Sequence, residues 1–326
     1  MAKLEKYGEV PGVDKKIPRI VQGVIQVKVN EEDKGFALLD AAFERGITAI
    51  DTARIYGTSD RFIGKWMKAR DNREQVTVLA KGSHHNDVRK RVTPYDIGTD
   101  LHDTLAHMQV EYVDLYVLHR DDPDYPVEPI VDALNQFVRE GKIRAFGGSN
   151  WTAARLQEAN DYAARSGQIG FAVSSPNFSL ADQVKEPWAD CISISGPRNE
   201  IERGWYARTR MPIFAWSSMA GGFWSGRFTR ENIGDEHSDY FNKLVQQCYN
   251  SEDNFRRLDR VKELGERKGL TIPQVALAWV LNFPLNLFAL VGSANETELD
   301  ANVAAANLTL TAQEIDYLDL RADSPE

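Results

Sequence analysis

The sequence predicts an α/β fold: a (β/α)8 TIM barrel in which residues 1–326 form a single domain. Short apolar segments of strand length alternate with longer segments of helical period, a pattern typical of parallel βαβ units. This alternation yields eight strands along the chain. The length of 326 residues and the hydrophobic content of 42% suit one such barrel with a large core.

Helices follow most of the predicted barrel strands. The predicted strands span residues 17–24, 47–51, 76–81, 113–119, 143–150, 171–177, 212–218 and 287–293. In the first helix, Phe36, Leu39 and Phe43 form one apolar face and Gly46 ends the helix. The later helices are predicted over residues 59–69, 93–108, 127–139, 152–165, 198–210 and 296–306.

Three segments fall outside the repeated units. Residues 7–16 predict an N-terminal hairpin that closes the barrel floor. Residues 252–268 and a helix opened by the capping pair Thr271 and Gln274 are predicted as extra helices. Residues 220–249 are rich in glycine and aromatic residues and show no clear period, which predicts an irregular loop that covers a ligand.

The composition argues against several classes of protein. A formal net charge of −9 without a basic patch predicts no nucleic-acid partner. The two cysteines, Cys191 and Cys248, lack CxxC spacing and suit a reducing compartment. Residues 1–19 show no signal-peptide pattern and no apolar stretch has the length of a membrane span, so we expect a cytoplasmic protein without a membrane partner.

Polar residues stand at the ends of several apolar strands. Asp51, Lys81 and His119 end the second, third and fourth strands, and we expect them on one rim because barrel active sites form there. Tyr56 follows Asp51 closely enough for a short loop to fold its phenol over the barrel mouth. We expect the Lys81 ammonium, held by Asp51, to lower the pKa of Tyr56. His119 would donate a hydrogen bond to a carbonyl oxygen, so the group suits carbonyl chemistry.

The chain resembles the aldo-keto reductase family in four stretches that match it in order and spacing. They are Asp51-Thr52-Ala53 with Tyr56-Gly57, then Lys81, residues 114–119, and Gly148-Ser149-Asn150-Trp151. The resemblance implies an NAD(P)-dependent enzyme that transfers a hydride between nicotinamide and an aldehyde, ketone or sugar-like alcohol. It also implies that Tyr56 is the general acid in reduction and the base in oxidation, tuned by Asp51 and Lys81, while His119 orients the carbonyl.

The same resemblance implies a nicotinamide cofactor at the C-terminal rim. Ser149 and Asn150 would hold the carboxamide, and Trp216 would stack on the ring as in the potassium-channel β-subunit branch. Ser175 stands where relatives carry a longer Gln, which puts that contact in doubt. The other implied cofactor residues are Ser217, Ser218, Met219, Gly221 and Arg227 after the seventh strand, and Gly292, Ser293, Asn295, Glu298 and Asn302 near the last helix.

The sequence favours NAD(H) as a cofactor used at least as well as NADP(H). Ala294 aligns with a frequent Arg or Lys of the family, and Glu296 and Glu298 add negative charge where a 2′-phosphate would lie. Two alternatives stay open. Glu298 has capping-box spacing with Asn295 and can serve its own helix, and Arg227 can reach a phosphate from its loop.

A small polar or sugar-like carbonyl compound is the expected substrate. The residues predicted to line its mouth are Arg54, His84, Tyr125, Trp151 and Trp224. We expect no metal, because His84 has no cysteine or acidic partner at zinc-like spacing. Two other functions stay open: a regulatory subunit that binds nicotinamide and turns over slowly, and a barrel isomerase or aldolase that uses Lys81 as a Schiff base.

Overall fold

Strands and helices alternate along the computed structural model, which describes residues 2–25, 27, 29–237 and 239–326. The strands are β1 (Tyr7–Val10), β2 (Val13–Pro18), β3 (Ile20–Gly23), β4 (Ala49–Ala53), β5 (Thr77–Gly82), β6 (Val113–Leu118), β7 (Ile143–Ser149), β8 (Val173–Ser175), β9 (Ile213–Ala215) and β10 (Leu287–Val291). The helices are α1 (Glu32–Glu44), α2 (Ser59–Arg70), α3 (Pro94–Met108), α4 (Val127–Arg139), α5 (Ala153–Ser166), α6 (Glu200–Thr209), α7 (Tyr240–Tyr249), α8 (Glu252–Lys268), α9 (Ile272–Asn282), α10 (Glu296–Asn307) and α11 (Ala312–Leu318).

Strands β3 to β10 close into a parallel barrel in which the strand order follows the chain. Closure comes from β10 pairing with β3, where Ala289 lies opposite Ile20. Helices connect the successive strands on the outside, and β1 and β2 form a separate antiparallel hairpin. The prediction of a (β/α)8 barrel with an N-terminal hairpin is therefore confirmed.

The barrel interior is filled with side chains and is closed at its N-terminal end by the hairpin. The hairpin residues Val10, Val13 and Ile17 pack in the same buried cluster as the inward-facing strand residues. At the floor, the rings of Phe214 and Phe288 stack with centroids 4.5 Å apart. This packing places any ligand site at the opposite, C-terminal rim, as is general for such barrels.

Helix α4 illustrates how the outer layer forms from its sequence. Ile130, Val131 and Leu134 recur at helical spacing, and all three are fully buried against the outside of the sheet. Burial of each such side chain contributes about 1.5–3 kcal/mol relative to exposure. The apolar face of α4 therefore holds this helix against the outside of the barrel, between the strands β6 and β7 that it connects.

Several elements differ from the sequence predictions, and β8 and β9 are shorter than predicted. The first predicted strand, residues 17–24, is divided between the hairpin strand β2 and the barrel strand β3, and Arg19 lies between them. The segment 220–249 is not irregular throughout, because a 3-10 helix covers Ala220–Ser225 and α7 covers Tyr240–Tyr249. Helix α11 was not predicted, although Thr311 and Glu314 form a capping box at its start.

Two features are missing from the part of the chain that the structure describes. None of its helices is both long enough and apolar enough to cross a membrane. Its His, Cys, Asp and Glu residues form no group of three or more that could hold a metal ion.

Candidate active site

Three polar side chains stand directly above the apolar filling of the barrel. Side chains of a strand alternate between its two faces, so residues two apart share a face. Leu79 and Val117 belong to the interior cluster. The inward-facing residues at the next positions toward the rim, on β4, β5 and just after β6, are Asp51, Lys81 and His119. The sheet itself therefore brings these three residues to one mouth.

Asp51 and Lys81 form a buried ion pair on neighbouring strands. The Lys81 Nζ contacts Asp51 Oδ1 within hydrogen-bond distance, and the two residues are 4% and 7% exposed respectively. Burial raises the pKa of the Asp51 carboxyl, and the Lys81 charge opposes that rise. Each charge in this pair offsets the other in a site that water hardly reaches.

Tyr56 and His119 lie next to this pair. The Lys81 Nζ is 5.7 Å from the centroid of the Tyr56 ring, and the ring centroids of Tyr56 and His119 are 6.0 Å apart. Burial raises the pKa of the Tyr56 phenol well above its usual value, and the Asp51 carboxylate raises it further. The expectation that this pKa is lowered is wrong, because desolvation dominates, and the cation that opposes the rise is Arg120.

The His119 ring is held in a neutral state. Its backbone N–H donates to the Gly82 carbonyl at 2.7 Å, and its ring packs edge-on against His84 with centroids 4.9 Å apart. Burial lowers the pKa of His119 well below its usual value, and the nearby cations Lys81 and Arg120 lower it further. A neutral imidazole therefore faces the phenol of Tyr56.

The polar residues at the end of β7 tie neighbouring strands together. Ser149 Oγ donates to the Ser175 carbonyl at 2.8 Å, and Ser175 Oγ donates to the Phe214 carbonyl at 2.7 Å. Asn150 adopts a left-handed backbone conformation with φ of 60°, and its Nδ2 donates to the His119 carbonyl at 3.3 Å. These bonds align the C-terminal ends of β6 to β9.

The region after β9 is built from turns. Trp216 is partly buried, and its Nε1 is buried without a hydrogen-bond partner among the described residues. Ser217 and Gly221 have positive φ angles of 48° and 63°. Ser218 Oγ donates to the Leu290 carbonyl at 2.7 Å, which leaves its backbone amide as the group for a ligand. Arg227 is exposed beside this turn, and Met219 is half-buried within it.

The start of α10 is a capped helix N-terminus on the same rim. Asn295 Oδ1 accepts from the Glu298 N–H at 3.0 Å, and Glu298 Oε2 accepts from the Ala294 N–H at 2.8 Å. Glu298 thus serves its own helix, the alternative that the sequence left open. Asn302 Nδ2 donates to Ser293 Oγ at 3.0 Å and fixes the turn that follows the exposed Gly292.

Only part of the predicted substrate lining lies at the mouth. His84 does, in contact with His119. Trp151 and Trp224 are fully buried and present no surface there. Arg54 is drawn toward helix α3 by Asp103 at 3.5 Å, and Tyr125 packs against the hydrophobic core. Side-chain size and polarity alone therefore did not separate lining residues from packing residues.

Arg120 is a rim residue that the sequence reasoning missed. It follows His119 directly and is only 5% exposed. Its Nη1 donates to the His119 carbonyl at 3.0 Å. The sequence did hold one signal, because Arg120 directly follows the rim residue His119. A charged residue at such a buried position is exceptional.

Comparisons with known proteins show the family of the chain. A family model described as the Aldo/keto reductase family matches residues 19–321. The chain is 27% identical over 309 residues to aldo-keto reductase str7 of Strobilurus tenacellus, covering 91% of this chain and 84% of that protein. It is 25% identical over 294 residues to a probable voltage-gated potassium channel subunit beta of Oryza sativa subsp. japonica, covering 87% of this chain and 85% of that protein.

A solved structure shows the same fold. The glycerol dehydrogenase AKR11B4 from Gluconobacter oxydans superposes with a TM-score of 0.78 at 20% sequence identity, covering 97% of this chain and 94% of that chain. The fold and the family match define an NAD(P)H-dependent oxidoreductase. The chain belongs to the aldo/keto reductase family, which confirms the resemblance drawn from the sequence.

Proposed function

We propose that this protein reduces an aldehyde or ketone to an alcohol, with Tyr56 as the proton donor. The observation that carries the proposal is the cluster at the mouth. The Tyr56 ring lies 5.7 Å from the Lys81 ammonium and 6.0 Å from the His119 ring, above the buried Asp51–Lys81 pair. A phenol, an imidazole and a fixed cation around one space are what carbonyl reduction requires.

The protonation states favour reduction. The Tyr56 Oη keeps its proton at neutral pH, as an ordinary phenol does and as the raised pKa ensures, and can transfer it to a carbonyl oxygen that gains negative charge. His119 is neutral and can donate a hydrogen bond that orients the same oxygen. Lys81 provides a nearby positive charge, and Asp51 keeps Lys81 in position.

The residues on the rest of the rim fit a nicotinamide cofactor, which supplies the hydride when it is bound. Trp216 offers an indole whose buried Nε1 has no protein partner within the described residues. Ser149 and Asn150 lie at the end of β7 beside His119. The amides of the turn at Ser217 and the N-terminus of α10 suit the pyrophosphate.

We further propose that NAD(H) is used at least as well as NADP(H), and that the protein works in the cytoplasm. The first proposal is supported by Ala294, which offers no charge to a 2′-phosphate at the start of α10. The second is supported by Cys191 and Cys248, which are both free thiols.

A panel assay tests this function. Aliphatic aldehydes, aromatic aldehydes, ketones and aldose sugars are supplied with NADH or NADPH, and the loss of nicotinamide absorbance is followed. We expect steady reduction of at least one carbonyl class. Tight cofactor binding without turnover of any compound would contradict the proposal and favour the regulatory function suggested by the likeness to a channel β subunit.

A further inference from the structure

Arg120 is a buried cation that forms no salt bridge with an acidic side chain among the described residues. It is 5% exposed, at the C-terminal end of β6. The adjacent carboxylate, Asp121, is bound instead by Arg155, with Nε and Oδ2 3.3 Å apart. Burying an unpaired charge is costly, so such groups in native proteins normally have a partner or a ligand.

The hydrogen bonds of Arg120 leave one edge of its guanidinium open. Nη1 donates to the His119 carbonyl at 3.0 Å. Nε is buried and has no hydrogen-bond partner in the described part of the chain. The backbone of Arg120 is held in place by a hydrogen bond, because Trp151 Nε1 donates to the Arg120 carbonyl at 3.3 Å. The edge that includes Nε therefore lacks an acceptor while the residue itself is held in place.

The groups around Arg120 are those of the candidate active site. Its charge lowers the pKa values of His84, His85 and His119 after burial has lowered them, and it acts against the rise in the pKa of Tyr56. The three imidazoles are consequently neutral near pH 7. Arg120 thus lies beside the catalytic cluster, because it donates to the carbonyl of His119 and its charge acts on these neutral rings and on Tyr56.

We propose that Arg120 binds an anionic oxygen group of the substrate, so that preferred substrates are aldehydes or ketones that also carry a carboxylate or a phosphate. The guanidinium is a planar fork that pairs side-on with two oxygens of such a group, and the Nε edge is the one left for it. This inference rests on the proposed carbonyl reduction and specifies its substrate class.

Matched substrate pairs test the inference. A series of ω-oxo acids of increasing chain length is compared with the corresponding methyl esters, and glyceraldehyde 3-phosphate with glyceraldehyde. We expect kcat/KM to favour the anionic member of at least one pair by about 10- to 100-fold, as a charge-assisted bond would give. The acid series and the phosphate pair show which anion the site takes. A ratio near one in every pair would overturn the inference.

Variants assign the preference to Arg120. In Arg120→Gln the ratio should fall to near one, and in Arg120→Lys, which keeps the charge but loses the fork, it should be intermediate. Lys90→Gln is the matched control, because it removes a part-exposed cation that acts on His85 and should leave the ratio within about twofold of the parent. A preference that persists in Arg120→Gln would contradict the assignment.

A binding measurement separates this inference from the proposed function. Calorimetry on the cofactor-loaded protein compares carboxylates with the carboxamides of equal chain length, which are neutral and cannot be reduced. The parent should bind carboxylates about tenfold more tightly than the carboxamides. Arg120→Gln should bind the two equally well. Equal binding would overturn the inference even if neutral carbonyl compounds are reduced. Selective carboxylate binding without any turnover would uphold the anion site and reject the reductase.

Discussion

The two halves of the rim hold their functional groups in different ways. In the proposed catalytic half (Asp51, Tyr56, Lys81 and His119), buried and partly buried side chains act on one another directly. In the proposed cofactor half (residues 216–227 and 292–302), side chains such as Ser218 and Glu298 bond to backbone groups, and turns lie between the elements. Chemistry in the first half depends on individual side-chain atoms, whereas binding in the second half depends on backbone shape. Single substitutions should therefore have larger effects in the catalytic half.

The strongest test of this difference is Tyr56→Phe. The variant keeps the ring but removes the proton donor, so kcat should fall by about 10²- to 10⁴-fold, the usual range for loss of a general acid. Cofactor affinity should barely change, because the phenol belongs to the other half of the rim. Steady-state kinetics together with cofactor titration checks both statements. A variant with near-normal turnover on a good substrate would show that another group supplies the proton.

The buried ion pair should dominate the stability of the catalytic half. Asp51→Asn leaves the Lys81 ammonium buried without its carboxylate, so the free energy of unfolding should fall by about 3–5 kcal/mol. The double variant Asp51→Asn with Lys81→Met removes both charges and should recover most of that loss. Urea unfolding measures all three proteins. A double variant less stable than Asp51→Asn would mean that the two charges do not offset each other.

The neutral state of His119 predicts a pH dependence of stability. Its folded pKa lies well below its unfolded value near 6.5. The unfolded chain therefore takes up a proton first as the pH falls, and stability from this group is complete above about 6.5 and is lost below it, by about 1.4 kcal/mol per pH unit. When the pH falls from about 7.5 to about 5.5, the free energy of unfolding of the parent should therefore decrease by about 1.4 kcal/mol more than that of His119→Gln. His102→Gln, on the exposed side of α3, is the matched control. Equal losses in the parent and His119→Gln would refute a neutral buried imidazole.

The same contrast explains what the sequence could predict. The strands and the residues that end them follow from apolar periodicity, because a polar residue at the end of an inward-facing row, such as Lys81, has few structural reasons to be there. The pKa of Tyr56 could not be read in this way, since it depends on burial and on the charges of Asp51 and Arg120 near the phenol. Only the folded structure shows which charged groups lie near a phenol and therefore in which direction its pKa is shifted.

Burial in the folded chain also explains why some residues that the sequence predicts at the substrate mouth do not lie there. Trp151 looks like a mouth residue in sequence, yet its indole packs on Phe171 with ring centroids 4.8 Å apart. Gly148 permits this packing, because a Cβ at that position would lie 2.6 Å from the indole. Arg120, in contrast, gave no periodic signal, and its proposed role starts from its Nε, which has no hydrogen-bond partner among the residues that the structure describes. Contacts between elements that are distant in sequence cannot be predicted from local sequence patterns.

Fluorescence tests the predicted position of Trp216 in the cofactor half. If its indole lies against nicotinamide, cofactor binding should quench it, and Trp216→Phe should lower the fractional quenching of the protein. The other six of the seven tryptophans dilute the signal, so the difference between variants is the quantity to measure. Trp205→Phe, near the barrel floor, is the control and should keep the quenching of the parent. Identical quenching in both variants would place Trp216 away from the cofactor.

Cofactor selectivity should show the smallest effect, because backbone turns rather than a dedicated cation form this part of the rim. Glu296 is paired with Arg45 at 3.0 Å, Glu298 caps its own helix, and Ala294 offers no charge to a 2′-phosphate. We therefore expect kcat/KM for NADH to be at least equal to that for NADPH, and a tenfold preference for NADPH, which is about 1.4 kcal/mol, would contradict this. Ala294→Arg should shift the ratio toward NADPH by about tenfold, since a guanidinium pairs well with a phosphate. A larger preference for NADPH in the parent, abolished by Arg227→Gln, would show that the exposed Arg227 reaches the phosphate and that side chains select the cofactor here as well.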